Sequence, residues 1–155
     1  MELQPLERGQ LGVMLVRGIL FALVLLAAAA IPASATSNET GIAPSVILGG
    51  LAVLLAYPAV IGPVRRYRSW GYKLDEEELQ LRHGVWTHIE TVVPLRRVQH
   101  LDVAQGPLER GFGVTRIVLH TAGTANSQVV LPGLSRATAE EIRDEIRAHI
   151  RQEPE

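Results

Sequence analysis

The hydrophobic and polar positions of this chain follow three different patterns in turn. Residues 11–35 and 42–64 are almost continuously apolar, residues 70–132 alternate between apolar and polar positions, and residues 138–150 repeat apolar positions at helical spacing. Such patterns are typical of membrane spans, half-buried strands and amphipathic helices, respectively. Their order predicts two apolar helices, then an antiparallel sheet, then one helix, which is an α+β module behind a membrane anchor.

The second apolar stretch, Ile42–Val64, contains no charged side chain. As a helix it would be about 34 Å long, which exceeds the roughly 30 Å of a bilayer's hydrocarbon core. Pro58 removes one backbone hydrogen bond and predicts a kink there. The stretch is therefore predicted to be a transmembrane helix.

The first apolar stretch, Leu11–Ala35, leaves two interpretations open. Arg17 lies near its start and can extend its charged end to the interface, so a second transmembrane helix is feasible. Alternatively, Gly18–Ile31 is the apolar part of a signal peptide, preceded by Arg8 and Arg17 and cleaved after Ala33-Ser34-Ala35. The helix is preferred, because a further span follows at once and the two form a self-consistent hairpin.

The arginines predict the orientation of this hairpin. Residues 36–41 between the spans contain no Lys or Arg, whereas Arg65, Arg66 and Arg68 directly follow the second span. Positive residues favour the cytoplasmic side. The prediction is a multi-pass membrane protein with both termini in the cytoplasm, in which residues 1–64 form the anchor and residues 65–155 form a cytoplasmic domain.

The alternating region predicts six strands. Leu79 and Leu81 share one face of the second strand, and Ile117 and Leu119 share one face of the fifth, which indicates sheets with one wet side. Asp75–Glu78 reads as the turn between the first two strands, and residues 122–127 read as a later hairpin loop. The predicted strands lie near 70–74, 79–86, 89–94, 98–104, 114–121 and 128–132.

The last pattern predicts an amphipathic helix whose apolar face needs a partner surface. Its apolar positions are Ala139, Ile142, Ile146 and Ile150. Thr138 is predicted to cap the helix, and the position of Glu141 three residues later fits a capping box. An antiparallel sheet curled around a core would offer the isoleucines a place at its open end.

The polar region, over about residues 65–151, contains in order the stretches WGYKLDEEELQLRHGVW, TVVPLRRVQHLDVAQGPLERGFGV, LHTAG and VVLPGL. Together they resemble a bacterial family of pleckstrin-homology (PH) type whose small membrane members are known as YdbS-like proteins. It implies a PH-like β barrel closed by the C-terminal helix. It also implies companion proteins with related domains, because the small members accompany larger proteins with repeated copies. No catalytic residues are established for the family, so the resemblance implies none in this chain.

The chemistry-bearing residues cluster in Val92–Gly113. His100 and Asp102 point to one face of a strand and could orient a general base, but no nucleophile motif accompanies them. The histidines at positions 83, 88, 100 and 120 are scattered without ligand spacing, and the chain has no cysteine. Leu108–Arg110 suits one helical turn, and Phe112 is expected to plug the core. We therefore predict no catalytic, metal or cofactor site and no enzymatic activity.

Charge narrows the possible partners. Residues 65–155 carry 13 Lys or Arg and 13 Asp or Glu, so clustered positive charge for nucleic-acid binding is missing. The acidic turn Asp75–Glu78 would repel a phosphate on the first hairpin. Self-association or a companion protein is the main expectation, and the small residues Ala52 and Ala56 would permit helix contact. Sensing of anionic membrane lipids is the alternative. The candidate headgroup contacts are Arg65, Arg66, Arg68, Arg96 and Arg97.

Overall fold

A computed structural model describes residues 3–122 and 128–151, with the backbone alone for residues 36–40 and 149–151. The chain divides into two compact units, Met14–Arg65 and the combination of Met1–Val13 with Arg66–Glu155. The predicted loop at residues 122–127 lies almost wholly outside the described residues.

The unit Met14–Arg65 consists of apolar helices. Helix α1 spans Arg8–Thr40 and helix α2 spans Pro44–Arg68, and both are long and apolar enough to cross a membrane. The chain passes Pro58 in a π-helical turn, Tyr57–Ile61, instead of leaving the helix. Such turns accommodate a missing backbone hydrogen bond. The two helices approach closely at Gly18, where an added Cβ would lie 2.7 Å from the carbonyl oxygen of Ala59.

The other unit holds two three-stranded antiparallel sheets and two further helices. Strands β1, β2 and β3 form one sheet, and β4, β5 and β6 form the other. A 3₁₀ turn at Leu95–Arg97 joins the sheets, helix α3 at Pro107–Gly111 connects β4 to β5, and helix α4 spans Arg136–Arg151. The strands are β1 Gly71–Leu74, β2 Glu78–His83, β3 Ile89–Pro94, β4 Val98–Ala104, β5 Thr115–Thr121 and β6 Gln128–Leu134.

The six predicted strands are confirmed, with differences at their ends. Strand β2 ends at His83 instead of residue 86, because Gly84 has a φ of 113° and turns the chain. Strand β6 continues to Leu134. The closed barrel that the resemblance implied is not what the structure shows. Within the described residues β3 and β4 are consecutive but unpaired, so both sheets are open.

The core lies between the two sheets and helix α4. Leu79 and Leu81 from one sheet and Ile117 and Leu119 from the other are fully buried, as their alternation predicted. The apolar face of α4 covers them through Ala139, Ile142 and Ile146. The helix begins three residues earlier than predicted, because the hydroxyl of Ser135, and not that of Thr138, accepts the backbone N–H of residue 138 at 3.0 Å.

The N-terminal segment, residues 3–7, adds a contact that the sequence patterns did not predict. Gln4 exchanges two backbone hydrogen bonds with Tyr72 of β1, and the Glu7 N–H donates to the carbonyl of Gly133 in β6. The Tyr67 hydroxyl donates to the carbonyl of Leu6 at 2.7 Å, and the Leu6 side chain is buried in the core. The segment therefore occupies the outer edges of β1 and β6.

Two further details depend on this segment. Gly133 has a φ of 69°, and an added Cβ there would lie 2.7 Å from Cβ of Gln10, so the position requires glycine. Burial raises the pKa of the Tyr72 phenol, and the nearby carboxylates of Glu7 and Glu141 raise it further. Both observations place the N-terminal residues directly against the sheets.

Candidate functional site

The outer face of β4 and β5 brings two histidines and an aspartate together. His100 lies directly opposite His120 in the strand register, and Asp102 lies two residues further along β4 on the same face. Atom Oδ2 of Asp102 is 3.2 Å from Nε2 of His100 and 3.4 Å from Nε2 of His120. The imidazole rings meet edge to face with their centroids 4.8 Å apart. We call these three residues the outer-face cluster.

The outer-face cluster is open to solvent. The side chains of His100 and Asp102 are 60% and 55% exposed, and that of His120 is 37% exposed. One ligand atom from each residue lies within 4.8 Å of the others. Imidazole nitrogens and a carboxylate oxygen can hydrogen-bond to each other as a His–Asp pair or can bind a cation together.

The expectation that the histidines are scattered is wrong for His100 and His120. It relied on sequence spacing, whereas the register of β4 against β5 brings the two residues together. The predicted shared face of His100 and Asp102 is confirmed by their contact. Of the other histidines, His83 and His88 lie apart from the outer-face cluster, since His83 stacks on Trp70 and His88 is exposed beside β3.

Glu109 holds the connection that sets this register. Its side chain is 4% exposed, although its neighbour Arg110 is exposed. One carboxylate oxygen accepts the backbone N–H of Gly106 at 2.6 Å, and the other accepts a guanidinium N–H of Arg116 in β5 at 3.0 Å. The Gln105 side chain also donates to the carbonyl of Val114 at 2.9 Å. These bonds tie the end of β4 to the start of β5.

The predicted helical turn is confirmed as α3. Phe112 is not a core plug: it is 41% exposed, and its ring lies where a Cβ on Gly12 would come within 2.3 Å. The ring covers the start of α1 instead of entering the sheets.

The five arginines predicted to contact lipid lie on two different elements. Arg65, Arg66 and Arg68 end helix α2, and all three are exposed. Arg96 and Arg97 are exposed on the 3₁₀ turn after β3. The structure thus presents all five side chains at the surface but does not gather them on one element.

The acidic turn lies beside the second pair of arginines. The Leu95 N–H, one residue before Arg96, donates to the carbonyl of Glu77 at 2.9 Å. Within that turn, Lys73 forms an ion pair with Asp75 at 2.6 Å. Asp75 is thus neutralised by Lys73, and the carboxylates of residues 76–78 remain near the backbone contact and reduce the positive potential around Arg96 and Arg97.

Two helices able to cross a membrane, followed by two antiparallel sheets and a C-terminal helix, define a transmembrane protein with an α+β domain. A family model described as Bacterial PH domain matches residues 11–150, and the chain belongs to that family. The match confirms the resemblance seen in the sequence motifs. The family is a group of PH-like membrane proteins and is not known as an enzyme family.

Two relatives are both described as transmembrane proteins of Bacillus subtilis (strain 168). The chain is 31% identical over 100 residues to UPF0699 transmembrane protein YdbS. The aligned region covers 64% of this chain and 58% of YdbS. It is 21% identical over 103 residues to UPF0699 transmembrane protein YdbT. That aligned region covers 66% of this chain and 20% of YdbT. The matched region is thus less than two thirds of either relative. No solved structure matches the chain.

Proposed function

We propose that this protein is a non-enzymatic integral membrane protein whose PH-like module mediates protein assembly at the membrane. The observation that carries the proposal is the pair of open sheet edges. Among the described residues, no strand pairs with the outer edge of β3 or of β4. Unpaired N–H and C=O groups on such an edge are a template for a strand from another chain.

Strand β3 is the edge best suited to pairing. Ile89 and Val92 are 46% and 48% exposed, on opposite faces of the strand. Trp86, in the connection that precedes β3, is 86% exposed. An added strand would satisfy the backbone groups of β3 and bury these apolar side chains, which contributes about 25 cal/mol for each Å² removed from water.

The proposed partner is a second copy or a companion with related PH-like domains. Support for a companion comes from YdbT, because the region similar to this chain makes up only 20% of that protein. A similar module can therefore occur within a much longer membrane protein. A related module would present comparable edge strands, so the same pairing would serve homo- and hetero-assembly.

We propose that both termini lie in the cytoplasm. The N-terminal segment forms part of the same unit as the sheets, as the bonds between Gln4 and Tyr72 illustrate. Both ends of the helical hairpin must then be on one side of the membrane, which fits two crossings. The arginines at positions 65, 66 and 68 favour the cytoplasmic side. This arrangement also supports an intact N-terminus over a cleaved signal peptide, because cleavage after Ala35 would remove the segment.

A single cysteine on β3 tests the assembly, since the natural chain has none. Val92→Cys in intact cells is expected to give a covalent dimer with a short membrane-permeant bis-maleimide, which joins the two introduced thiols. A companion is captured in the same way when it carries a cysteine in its own edge strand. Side chains opposite each other in an antiparallel pair lie only about 5 Å apart, within reach of the reagent. The readout is a shift to higher mass on a denaturing gel.

Arg147→Cys on the exposed face of α4 is the matched control and should stay monomeric. An impermeant bis-maleimide should leave both variants unreacted if the module is cytoplasmic. Equal cross-linking of the two variants, or only monomer from Val92→Cys, would contradict pairing through β3. Reaction with the impermeant reagent would contradict the orientation.

The second candidate function is sensing of anionic lipid, and the exposed arginines at the end of α2 support it. Cations near an anionic surface contribute about 1 kcal/mol each. The acidic turn beside Arg96 and Arg97 weakens that pair as a headgroup contact. We therefore infer that Arg65, Arg66 and Arg68 would carry most of the lipid contact.

The three arginines of α2 can be compared with the pair on the 3₁₀ turn. Replacing Arg65, Arg66 and Arg68 by glutamine is expected to lower the anionic phospholipid that co-purifies with the full chain in mild detergent, as measured by mass spectrometry. A triple lysine variant keeps the charge and should retain the lipid. Replacing Arg96 and Arg97 by glutamine should change little, and a loss as large as that of the triple variant would overturn the inference.

A further inference from the structure

Two of the three ligand-atom separations in the outer-face cluster match those of a metal site. Tetrahedral zinc binds nitrogen and oxygen ligands at about 2.0–2.1 Å, which places neighbouring ligand atoms about 3.3 Å apart. The separations between Asp102 Oδ2 and the two histidine Nε2 atoms are 3.2 and 3.4 Å. One ligand atom from each residue lies within 4.8 Å of the others, so binding of an ion would bring the two imidazole nitrogens closer together.

We propose that His100, Asp102 and His120 bind a divalent transition metal ion, with zinc as the natural occupant. Two imidazoles and one carboxylate are ligands that Zn²⁺ accepts. Calcium takes six to eight oxygen ligands and magnesium prefers oxygen and water, so this donor set does not suit them. Copper would bind more tightly than zinc to most such sites, which makes availability the deciding factor between the two.

The ligand atoms of the outer-face cluster converge on one carboxylate oxygen, an arrangement that a cation can occupy as well as hydrogen bonds. Both histidine Nε2 atoms approach the same oxygen of Asp102, and its other oxygen is not involved in either contact. A cation at the point where the three ligand atoms converge would serve all of them at once. The ligands come from two paired strands, so the backbone holds them in place before the ion arrives.

The fourth coordination position would face outward. All three side chains are on the solvent-exposed face of the sheet, and none belongs to the buried core. Water or a group from another molecule can complete the tetrahedron there. Because the cluster lies outside the core, replacement of its most exposed residues is expected to change the fold little.

The test uses the full chain in mild detergent, purified with a tag that contains no histidine. Titration with Zn²⁺ by calorimetry is expected to show one ion per chain, and Co²⁺ should give the visible absorption of a tetrahedral site. His120→Ala and Asp102→Ala should each weaken binding by at least about tenfold, since even partners of metal ligands contribute that much.

His88→Ala is the matched control, because that histidine is exposed but lies outside the cluster. Its affinity for Zn²⁺ should equal that of the natural chain. If His120→Ala does not fold, His100→Ala carries the same test with a side chain that is 60% exposed. The proposal is overturned if the natural chain binds no ion, or if the cluster variants bind it as tightly as the His88→Ala control.

Discussion

Replacement of Leu6 by alanine is expected to lower the free energy of unfolding of the sheet unit by about 2–5 kcal/mol, the usual range for a buried leucine. Leu6 is 3% exposed and belongs to the same core cluster as Leu79 and Leu131. The substitution would leave a cavity between the N-terminal segment and the sheets. It would also weaken the hydrogen bonds that hold the segment, including the one from Tyr67.

Thermal unfolding of the full chain in mild detergent measures this effect. Trp70 packs against the core and stacks on His83, so its fluorescence reports on the sheet unit once Trp86 has been replaced by phenylalanine. Leu54→Ala is the matched control, because that leucine is 71% exposed on helix α2. It should leave the transition of Trp70 unchanged.

The result also bears on the orientation of the protein. If Leu6→Ala melts at the same temperature as Leu54→Ala, the N-terminal segment is not part of the sheet unit. The placement of both termini on one side of the membrane would then lose its structural support. The arginine pattern after the second span would remain as the sole basis for the proposed topology.

Replacement of Glu109 by glutamine is expected to lower the free energy of unfolding of the sheet unit by about 2–3 kcal/mol. This is the upper range for hydrogen bonds to a charged group. The carboxylate accepts one bond from the Gly106 backbone and one from the Arg116 guanidinium. Glutamine preserves the shape but presents an NH₂ group to one of these two donors. The expected loss is smaller than that for a fully buried ion pair because the Arg116 side chain is 37% exposed and partly hydrated.

Arg110→Gln, at the adjacent and exposed position, is the matched control for Glu109→Gln. A surface substitution of this kind normally changes stability by less than about 0.5 kcal/mol. The same fluorescence-monitored transition measures both variants. Equal transitions would show that Glu109 contributes no more than an exposed residue, which would contradict its role in holding the connection between β4 and β5.

Much of the sheet unit could be predicted because its patterns are local. The side chains of a strand alternate between two faces, so Leu79 and Leu81 identify the buried side of β2 without knowledge of its neighbours. The same is true of Ala139, Ile142 and Ile146 on helix α4. Local patterns are less informative about where a helix begins or ends. The sequence predicts Thr138 as the cap of α4 instead of Ser135, because both residues offer a hydroxyl near the start of the helix.

The outer-face cluster was predictable only in part. His100 and Asp102 are two residues apart on one strand, so their shared face follows from the sequence. His120 belongs to another strand, and its position depends on how β4 pairs with β5. These strands are joined by residues 105–114, which include helix α3, and no tight turn sets the register there. The pairing of β4 with β5 sets how the strands align, and the bonds of Glu109 and Gln105 hold the connection between them.

The amino-acid sequence by itself determined the apolar anchor, the order of strands and helices, and the buried side of each, because these depend on the spacing of neighbouring residues. The tertiary structure alone decided three other features: the N-terminal segment on the edges of β1 and β6, the burial of Glu109, and the meeting of His120 with Asp102. Each of these depends on a contact between separate elements. Such a contact is stabilised by residues that are distant in the sequence, and the spacing of neighbouring residues does not identify them.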